Sequence, residues 1–105
     1  MIVNLAGVML EDTADAVVVS LRGELDLMTL PQLRAALNVA RWDRLDDVVV
    51  DFADVTFCEA HTLGLLASTF TRLAARGRGL KVRGARPRQA TVFRLVGLGH
   101  LLSPV

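Results

Sequence analysis

The sequence predicts a single α/β domain in which α-helices pack against a mixed, mostly parallel β-sheet that starts with an antiparallel hairpin. Short valine-rich runs alternate along the chain with longer stretches whose apolar residues recur every three or four positions. The first pattern is typical of strands and the second of amphipathic helices. Their alternation requires crossover connections, which make neighbouring strands parallel. A length of 105 residues fits one domain, residues 1–105, with a core that needs neither disulfides nor metal.

Four segments are predicted to be strands. The first, Ile2 to Leu10, is the weakest candidate, and the acidic segment 11–15 (EDTAD) after it is predicted to be the turn of the hairpin. The second, Ala16 to Leu21 (AVVVSL), is short and β-branched. The third, Asp47 to Phe52 (DVVVDF), is almost wholly apolar, which predicts a strand covered on both faces. The last, Leu80 to Arg83 (LKVR), alternates apolar and basic residues.

Two helices are predicted between these strands. Thr29 and Gln32 match a capping box at the start of the first helix. The apolar stripe of that helix comprises Leu30, Leu33, Leu37 and Ala40. The second helix is predicted from about Ala60 to Arg76, with Gly77 or Gly79 as its left-handed cap. Its stripe comprises Leu63, Leu66, Ala67, Phe70, Leu73 and Ala74.

A third helix is predicted after the last strand. It begins at Pro87, because proline is favoured in the first turn of a helix. Its inward residues are predicted to be Val92, Leu95 and Val96. Gly97, with the apolar Leu98 beyond it, matches a C-terminal glycine cap.

Composition excludes several classes of function. The 12 basic and 11 acidic residues leave a net charge of +1, which gives no electrostatic footprint for nucleic acid. The first residues lack the basic and apolar regions of a signal peptide, and no apolar run approaches the roughly 18 residues of a membrane span. The one cysteine, Cys58, excludes an intrachain disulfide and is compatible with a reducing compartment. The chain is therefore expected to be cytoplasmic, without nucleic-acid binding or membrane insertion.

One short turn holds Cys58, Glu59 and His61, which suggests catalysis. Side chains so close together at a strand-to-helix turn point in different directions, whereas a catalytic triad gathers its members from distant segments. Neither His100 nor a second cysteine has ligand spacing to this turn, so no metal site is predicted. Cys58 is predicted to pack as a small apolar residue, with redox sensing as the alternative.

Neither the glycine-rich pieces nor the basic cluster of the sequence predicts a bound ligand. The glycine-rich pieces at 77–79 and 97–99 are wrongly placed for a phosphate-binding loop, which follows a strand and opens a helix, so no cofactor is predicted. A basic cluster lies between the second and third helices and comprises Arg76, Arg78, Lys81, Arg83, Arg86 and Arg88. Because it has no interleaved aromatic residues, a solvated rim is predicted rather than a nucleic-acid site.

The loop GELDLMTLPQL and the segment DFADVTFCEAHTLGLL together resemble the STAS domain family, specifically the bacterial anti-sigma factor antagonists (anti-anti-sigma factors). Residues 23–26 match the family's loop after the second strand, and Asp51, Phe52, Val55 and Phe57 match the approach to its key helix. The resemblance extends over essentially the whole chain. It implies a STAS fold and a non-enzymatic protein that docks on an anti-sigma factor of the serine-kinase type and thereby releases a sigma factor.

The same resemblance implies a substituted phosphorylation site. The family's turn reads Asp-Ser-Ser-Gly-Leu-Gly, and the partner phosphorylates the second serine, which adds roughly 1.5 to 2 negative charges and abolishes docking. Those places are held here by Glu59, Ala60, His61, Thr62, Leu63 and Gly64. His61 therefore stands at the phosphoacceptor-equivalent position. A serine kinase cannot modify it, and the hydroxyl of Thr62 lies one place later, about 100° further round a helix.

The resemblance predicts a partner-binding edge made of Glu24, Asp26, Glu59, Ala60, His61, Thr62 and Leu63. The first turn of a helix offers unpaired amides and partial positive charge, which favours Glu59 there and disfavours a protonated His61. Two alternatives stay open: a STAS subunit of a transporter or stress-signalling complex, and a histidine phosphocarrier that uses His61, since amides at a helix N-terminus can receive phosphoryl oxygens. The sequence leaves the oligomeric state and nucleotide binding open.

Overall fold

The computed structural model describes residues 2–5, 7–13, 16–43 and 47–103. Its strands are β1 (Ile2–Leu5), β2 (Val8–Asp12), β3 (Ala16–Leu25), β4 (Asp47–Cys58) and β5 (Leu80–Arg83). Its helices are α1 (Leu30–Asp43), α2 (Ala60–Ala74), α3 (Pro87–Leu95) and a short 3-10 helix (Gly99–Leu101). Helices alternate with strands from β3 onward, which confirms the predicted α/β class.

The described strands form one sheet in the order β1-β2-β3-β4-β5. β1 pairs antiparallel with β2 and β2 with β3, whereas β3 and β4, and β4 and β5, pair in parallel. The single strand predicted over residues 2–10 is in fact two strands, and the chain passes between them through Gly7 at a φ of 89°. Glycine adopts this left-handed conformation without steric cost. The extra strand makes antiparallel and parallel pairs equal in number among the described strands.

The turn between β2 and β3 is closed by one side chain. The hydroxyl of Thr13 donates to the carbonyl of Ala16 at 2.8 Å and accepts from its amide at 3.1 Å. The predicted EDTAD turn is shorter than expected, because Glu11 and Asp12 belong to β2; residues 14 and 15 lie outside the described residues.

The buried apolar side chains form one cluster between the sheet and the helices. On β4, Val48, Val50 and Phe52 are buried, while Val49 and Asp51 are only half-buried. Because side chains alternate between the two faces of a strand, one face of β4 is covered and the other is partly open, and the predicted coverage of both faces is wrong. α1 packs against β2, β3 and α2, and α2 packs against β5.

The predicted stripes on α1 and α2 are partly confirmed. On α1, Leu33 and Leu37 are buried and Leu30 is half-buried, and the side chain of Ala40 lies outside the described residues. On α2, buried residues include Leu63, Leu66 and Leu73, while Ala67 and Phe70 are half-buried and Ala74 is exposed.

The buried face of α3 differs from the prediction. The three residues predicted to face inward, Val92, Leu95 and Val96, are 39%, 79% and 54% exposed. Phe93 is buried instead, and its ring packs edge-on against that of Phe52 with 5.5 Å between the ring centroids. An aromatic side chain removes more apolar area from water than a valine does, so Phe93 sets the rotation of this helix.

Glycine ends two helices as predicted. Gly77 after α2 and Gly97 after α3 have φ values of 71° and 81°. Beyond Gly97, the amide of Leu98 donates to the carbonyl of Phe93 at 2.7 Å, the bond expected of a glycine-capped helix end.

The segment after the 3-10 helix lies along the outer side of β5. Leu102 forms an isolated parallel bridge with Val82, and the amide of Ser103 donates to the carbonyl of Val82 at 2.7 Å. The ammonium of Lys81 also donates to the carbonyl of His100 at 3.2 Å. These contacts fix the chain against that edge of the sheet.

Candidate functional site

The ends of β3 and β4 bring two loops together. Glu24 and Leu25 stand beside Phe57 and Cys58 in the parallel register, and the amide of Glu59 donates to the carbonyl of Leu25 at 2.9 Å. Because the carboxyl ends of neighbouring parallel strands meet at one edge of a sheet, the loop after β3 and the start of α2 share that edge. We call residues 24–29 and 59–63 the loop edge.

A bulge positions the first residue of the loop edge. The register between β3 and β4 shifts between Ser20 and Arg22 and again between Gly23 and Glu24. Gly23 has a φ of 80°, a conformation that glycine allows at such irregular positions. As a result Leu25 is buried in the core and the Glu24 side chain is exposed.

Asp26 holds the loop after β3 in shape. Its carboxylate accepts hydrogen bonds from the amides of Met28 at 2.9 Å and Thr29 at 3.2 Å. The Thr29 hydroxyl donates to the Asp26 carbonyl and accepts from the Asp26 amide, both at 3.0 Å. The predicted capping box is therefore wrong, because the Asp26 carboxylate satisfies the free amides ahead of α1. The side-chain amide nitrogen of Gln32 instead donates to the backbone carbonyls of Thr29 and Met28, at 3.0 and 3.1 Å. Asp26 is half-buried, and its carboxylate bonds to the backbone of its own loop.

The first residues of α2 present an outward pair of polar side chains. Glu59 is the N-cap, with φ −82° and ψ 161°, and its side chain makes no capping hydrogen bond. Its carboxylate lies 4.0 Å from Nδ1 of His61, whose side chain is 62% exposed. Ala60 between them is exposed as well. The acid and the imidazole are thus both accessible to another molecule.

Thr62 and Leu63 do not belong to the exposed part of this edge. Their exposures are 1% and 5%, so the two side chains face the core, although the sequence predicted them as partner contacts. Among the described residues, the hydroxyl of Thr62 has no hydrogen-bond partner. Direct contact with a partner through either side chain would require the first turn of α2 to open.

Cys58 lies beneath the exposed pair. It is half-buried against the core, and its Sγ is 3.6 Å from the carbonyl oxygen of Glu59. Burial raises the pKa of the Cys58 thiol from 9.0 to about 11; the adjacent Thr62 hydroxyl, which is not aligned for an ordinary hydrogen bond, opposes the rise, and the Glu59 carboxylate adds to it. The thiol is therefore protonated at neutral pH, which disfavours reaction as a nucleophile.

No group of three His, Cys, Asp or Glu side chains in the described parts of the chain could hold a metal ion. The predicted basic cluster is divided: Arg78 is buried, Arg83 pairs with Asp51 at 3.1 Å, and Arg86 lies 3.5 Å from the carbonyl of Ala53. None of the helices that the structure describes is long and apolar enough to cross a membrane.

The family is decided by comparison with known proteins. The family model described as "Mlab, STAS domain" matches residues 4–103. The chain belongs to the STAS domain family. An anti-sigma-B factor antagonist of Staphylococcus aureus (strain NCTC 8325 / PS 47) is 31% identical over 84 residues, which are 80% of this chain and 78% of that protein. The predicted membership of the family's anti-sigma factor antagonist type is thereby confirmed.

Solved structures agree with this STAS assignment. The unphosphorylated form of the anti-sigma factor antagonist SpoIIAA superposes with a TM-score of 0.79 at 27% identity, covering 91% of this chain and 85% of SpoIIAA. An anti-sigma factor antagonist from Mycobacterium paratuberculosis superposes with a TM-score of 0.82 at 30% identity, covering 93% and 85% of the two chains. SpoIIAA has also been solved in a phosphorylated form, with a TM-score of 0.73 to this chain.

Proposed function

We propose that this STAS protein is a non-enzymatic anti-sigma factor antagonist that docks through its loop edge on an anti-sigma factor of the serine-kinase type and so releases a sigma factor. The contacts are made by Glu24, Ala60 and His61, the exposed members of the predicted set, and by the half-buried Glu59. The observation that carries the proposal is the first turn of α2, which offers the carboxylate of Glu59 and the imidazole of His61, 4.0 Å apart, and has no accessible hydroxyl.

The side chains of the first turn support a constitutive antagonist rather than a switched one. Where the family's phosphorylated serine stands, His61 offers no hydroxyl. Thr62 carries the single hydroxyl of residues 57–64, and it is 1% exposed. A kinase must bring the acceptor oxygen in line with the γ-phosphate, which a buried side chain cannot reach. The protein is therefore not switched off by serine or threonine phosphorylation at this turn.

A binding experiment with charge variants tests the docking surface. The purified protein is titrated calorimetrically with anti-sigma factors from the same genome, and we expect a complex without phosphatase treatment. His61→Glu places a negative charge where the family carries phosphoserine, and it should weaken the complex at least about tenfold, a loss of about 1.4 kcal/mol. Ser68→Glu is the matched control, because it adds the same charge to an exposed position further along α2.

The result of that titration decides the proposal. Binding lost with His61→Glu and kept with Ser68→Glu supports the loop edge as the docking surface. Equal effects of the two variants contradict it, and so does the failure of the wild-type chain to bind any of these anti-sigma factors. In the latter case, binding to a transporter or stress-signalling component encoded nearby would favour the alternative STAS role.

A phosphorylation experiment tests the missing acceptor. His61→Ser restores a hydroxyl at the phosphoacceptor-equivalent position, and Ala60→Ser adds one at the neighbouring place. With labelled ATP and the cognate anti-sigma factor, we expect label on His61→Ser and none on Ala60→Ser or the wild type. Label on Thr62 of the wild type would contradict a constitutive antagonist. Acid-labile label on His61 would instead establish the phosphocarrier alternative, which the carboxylate of Glu59 at 4.0 Å disfavours through charge repulsion.

A further inference from the structure

A groove adjoins the loop edge on the side of α3. It has a volume of about 190 Å³ and is lined by Phe57 and Cys58 of β4, Leu63 of α2, and Arg88, Val92 and Phe93 of α3. A cavity of about 150 Å³ with apolar walls binds a benzene molecule. The groove therefore has room for one aromatic or branched aliphatic side chain.

The walls of the groove are fixed before anything binds. Gln89 joins α3 to β4, since its amide nitrogen donates to the carbonyl of Val55 at 2.9 Å and its amide oxygen accepts from the amide of Arg86 at 3.2 Å. Phe93 packs on Phe52 in the core beneath. A preformed pocket avoids the free-energy cost of ordering its own walls when it binds.

Among the described residues, the one charge that lines the groove is positive, although the carboxylate of Glu59 lies close enough to Cys58 to raise the pKa of its thiol. Arg88 is the one charged side chain among the described residues that line it, and its guanidinium has no hydrogen bond or ion pair with them. Arg88 and Leu63 also belong to the first turns of α3 and α2, where free amides give partial positive charge. A carboxylate next to the apolar group would complement this rim, and a cation would be repelled.

The apolar part of the groove is open to the surface. Phe57 is 53% exposed and Val92 is 39% exposed, although both are large apolar side chains. Exposed apolar groups that flank a pocket mark binding surfaces more often than isolated ones do. Phe57 and Cys58 lead directly into Glu59, so a molecule docked on the loop edge can reach the groove without a break in contact.

We propose that this groove receives one apolar side chain of the protein partner, flanked in the partner by a carboxylate that pairs with Arg88. The inference rests on the proposed function, because it takes the anti-sigma factor as the source of that segment. It assigns the specificity of docking to α3 and the end of β4, beyond the turn that holds His61. The groove supplies an apolar anchor, the kind of contact that dominates many interfaces.

A small-molecule titration tests the groove without any partner. Phenylacetate carries an aromatic ring next to a carboxylate, and phenethylamine carries the same ring next to a cation. We expect phenylacetate to shift the backbone amide resonances of residues 56–58 and 88–93 with a dissociation constant of about 1 mM or weaker. Phenethylamine should bind about two- to fivefold more weakly, the range expected for one exposed charge pair. Equal binding of the two, or shifts spread over the whole protein, would overturn the proposal.

Matched variants on α3 test the same groove in the complex. Val92→Glu places a carboxylate one helical turn from Arg88. The new side chain occupies the groove and pairs with the guanidinium of Arg88. Arg88→Glu reverses the charge at the rim of the groove. Leu95→Glu and Arg94→Glu make the same changes at exposed positions of α3 outside the groove. We expect Val92→Glu to weaken the anti-sigma factor complex about 30-fold and Leu95→Glu to leave it unchanged. Melting temperatures of all four variants verify that each remains folded.

The outcomes separate this inference from the proposed function. If the wild type binds an anti-sigma factor and the four variants bind alike, the groove proposal is wrong and the antagonist proposal stands. If no anti-sigma factor binds, the antagonist proposal fails and the phenylacetate titration alone decides the groove. If the wild type sediments as a dimer that Val92→Glu dissociates, the groove belongs to a second copy of this chain, and the proposal is wrong.

Discussion

The amide of Glu59 donates a hydrogen bond to the carbonyl of Leu25 at 2.9 Å, so the residue that begins α2 is held against the end of β3. Both atoms belong to the backbone. Replacement of the Glu59 or His61 side chain therefore leaves this hydrogen bond in place.

His61→Ala and Leu66→Ala should differ sharply in stability. Leu66 is 0% exposed, and its truncation leaves a cavity that costs about 2–5 kcal/mol. His61 is an exposed side chain, so its loss should change the free energy of unfolding by less than about 0.5 kcal/mol. Urea unfolding of the two variants measures the difference. A similar loss in both would mean that His61 is part of the core rather than of the docking surface.

Gly84→Ala should destabilise the protein more than Gly97→Ala. Both glycines have positive φ, 74° and 81°, and left-handed backbone costs an alanine about 1–2 kcal/mol. A Cβ at Gly84 would also lie 3.0 Å from the amide nitrogen of Ala53, whereas one at Gly97 meets nothing within 4 Å. Denaturant midpoints compare the variants, and equal destabilisation would show that the approach of Gly84 to β4 carries no cost.

Thr62→Val and Thr69→Val form a matched pair on the buried face of α2. The Thr62 hydroxyl has no partner among the described residues, so its replacement by a methyl group should leave stability unchanged or raise it. The Thr69 hydroxyl donates to the carbonyl of Leu65 at 2.8 Å, and its loss should cost about 0.5–1.5 kcal/mol. Thermal unfolding distinguishes them. A larger loss for Thr62→Val than for Thr69→Val would indicate that Thr62 has a bound partner in solution.

Cys58 should react slowly with thiol reagents in the folded protein. The reactive species is the thiolate, and a pKa raised from 9.0 to about 11 lowers its fraction at pH 8 about 100-fold. The Cys58 thiol should therefore ionise only as the pH approaches 11, whereas an ordinary thiol ionises around pH 9.0. The rate with a chromogenic disulfide is measured against pH in the folded protein and, as the control, in denaturant. Rapid reaction of the folded form near neutral pH would revive the redox-sensing role.

Short sequence patterns were sufficient to predict several strands and the ends of two helices. Valine-rich runs located β3 and β4, the alternation of apolar and basic residues located β5, and the glycine caps located the ends of α2 and α3. Residues 2–10 were predicted as one strand because both halves are apolar, and the prediction missed that Gly7 separates two segments that pair antiparallel with each other. β4 continues to Cys58, beyond the predicted Phe52, since backbone pairing with the bulged end of β3 stabilises its polar residues. Pairing between segments that are distant in the sequence cannot be predicted from the pattern of either segment alone.

The burial of individual side chains in the candidate site differs from what the sequence predicted. Buried positions on α2 include Thr62, Leu66, Thr69 and Leu73, a seven-residue repeat that was visible but obscured by counting only apolar residues. Asp26 was predicted as a partner contact, yet its carboxylate caps its own loop. The groove could not be foreseen at all, because it depends on the rotation that Phe93 imposes on α3.

The strand-like contact of Leu102 and Ser103 with Val82 has a consequence for self-association. A sheet edge with free amides and carbonyls is a template on which another chain can polymerise into β-aggregates. Here the outward-facing carbonyl of Val82 accepts a hydrogen bond from Ser103 of the same chain, and β5 is only four residues long. Residues 102 and 103 therefore leave less of the β5 edge open to pairing with a second molecule.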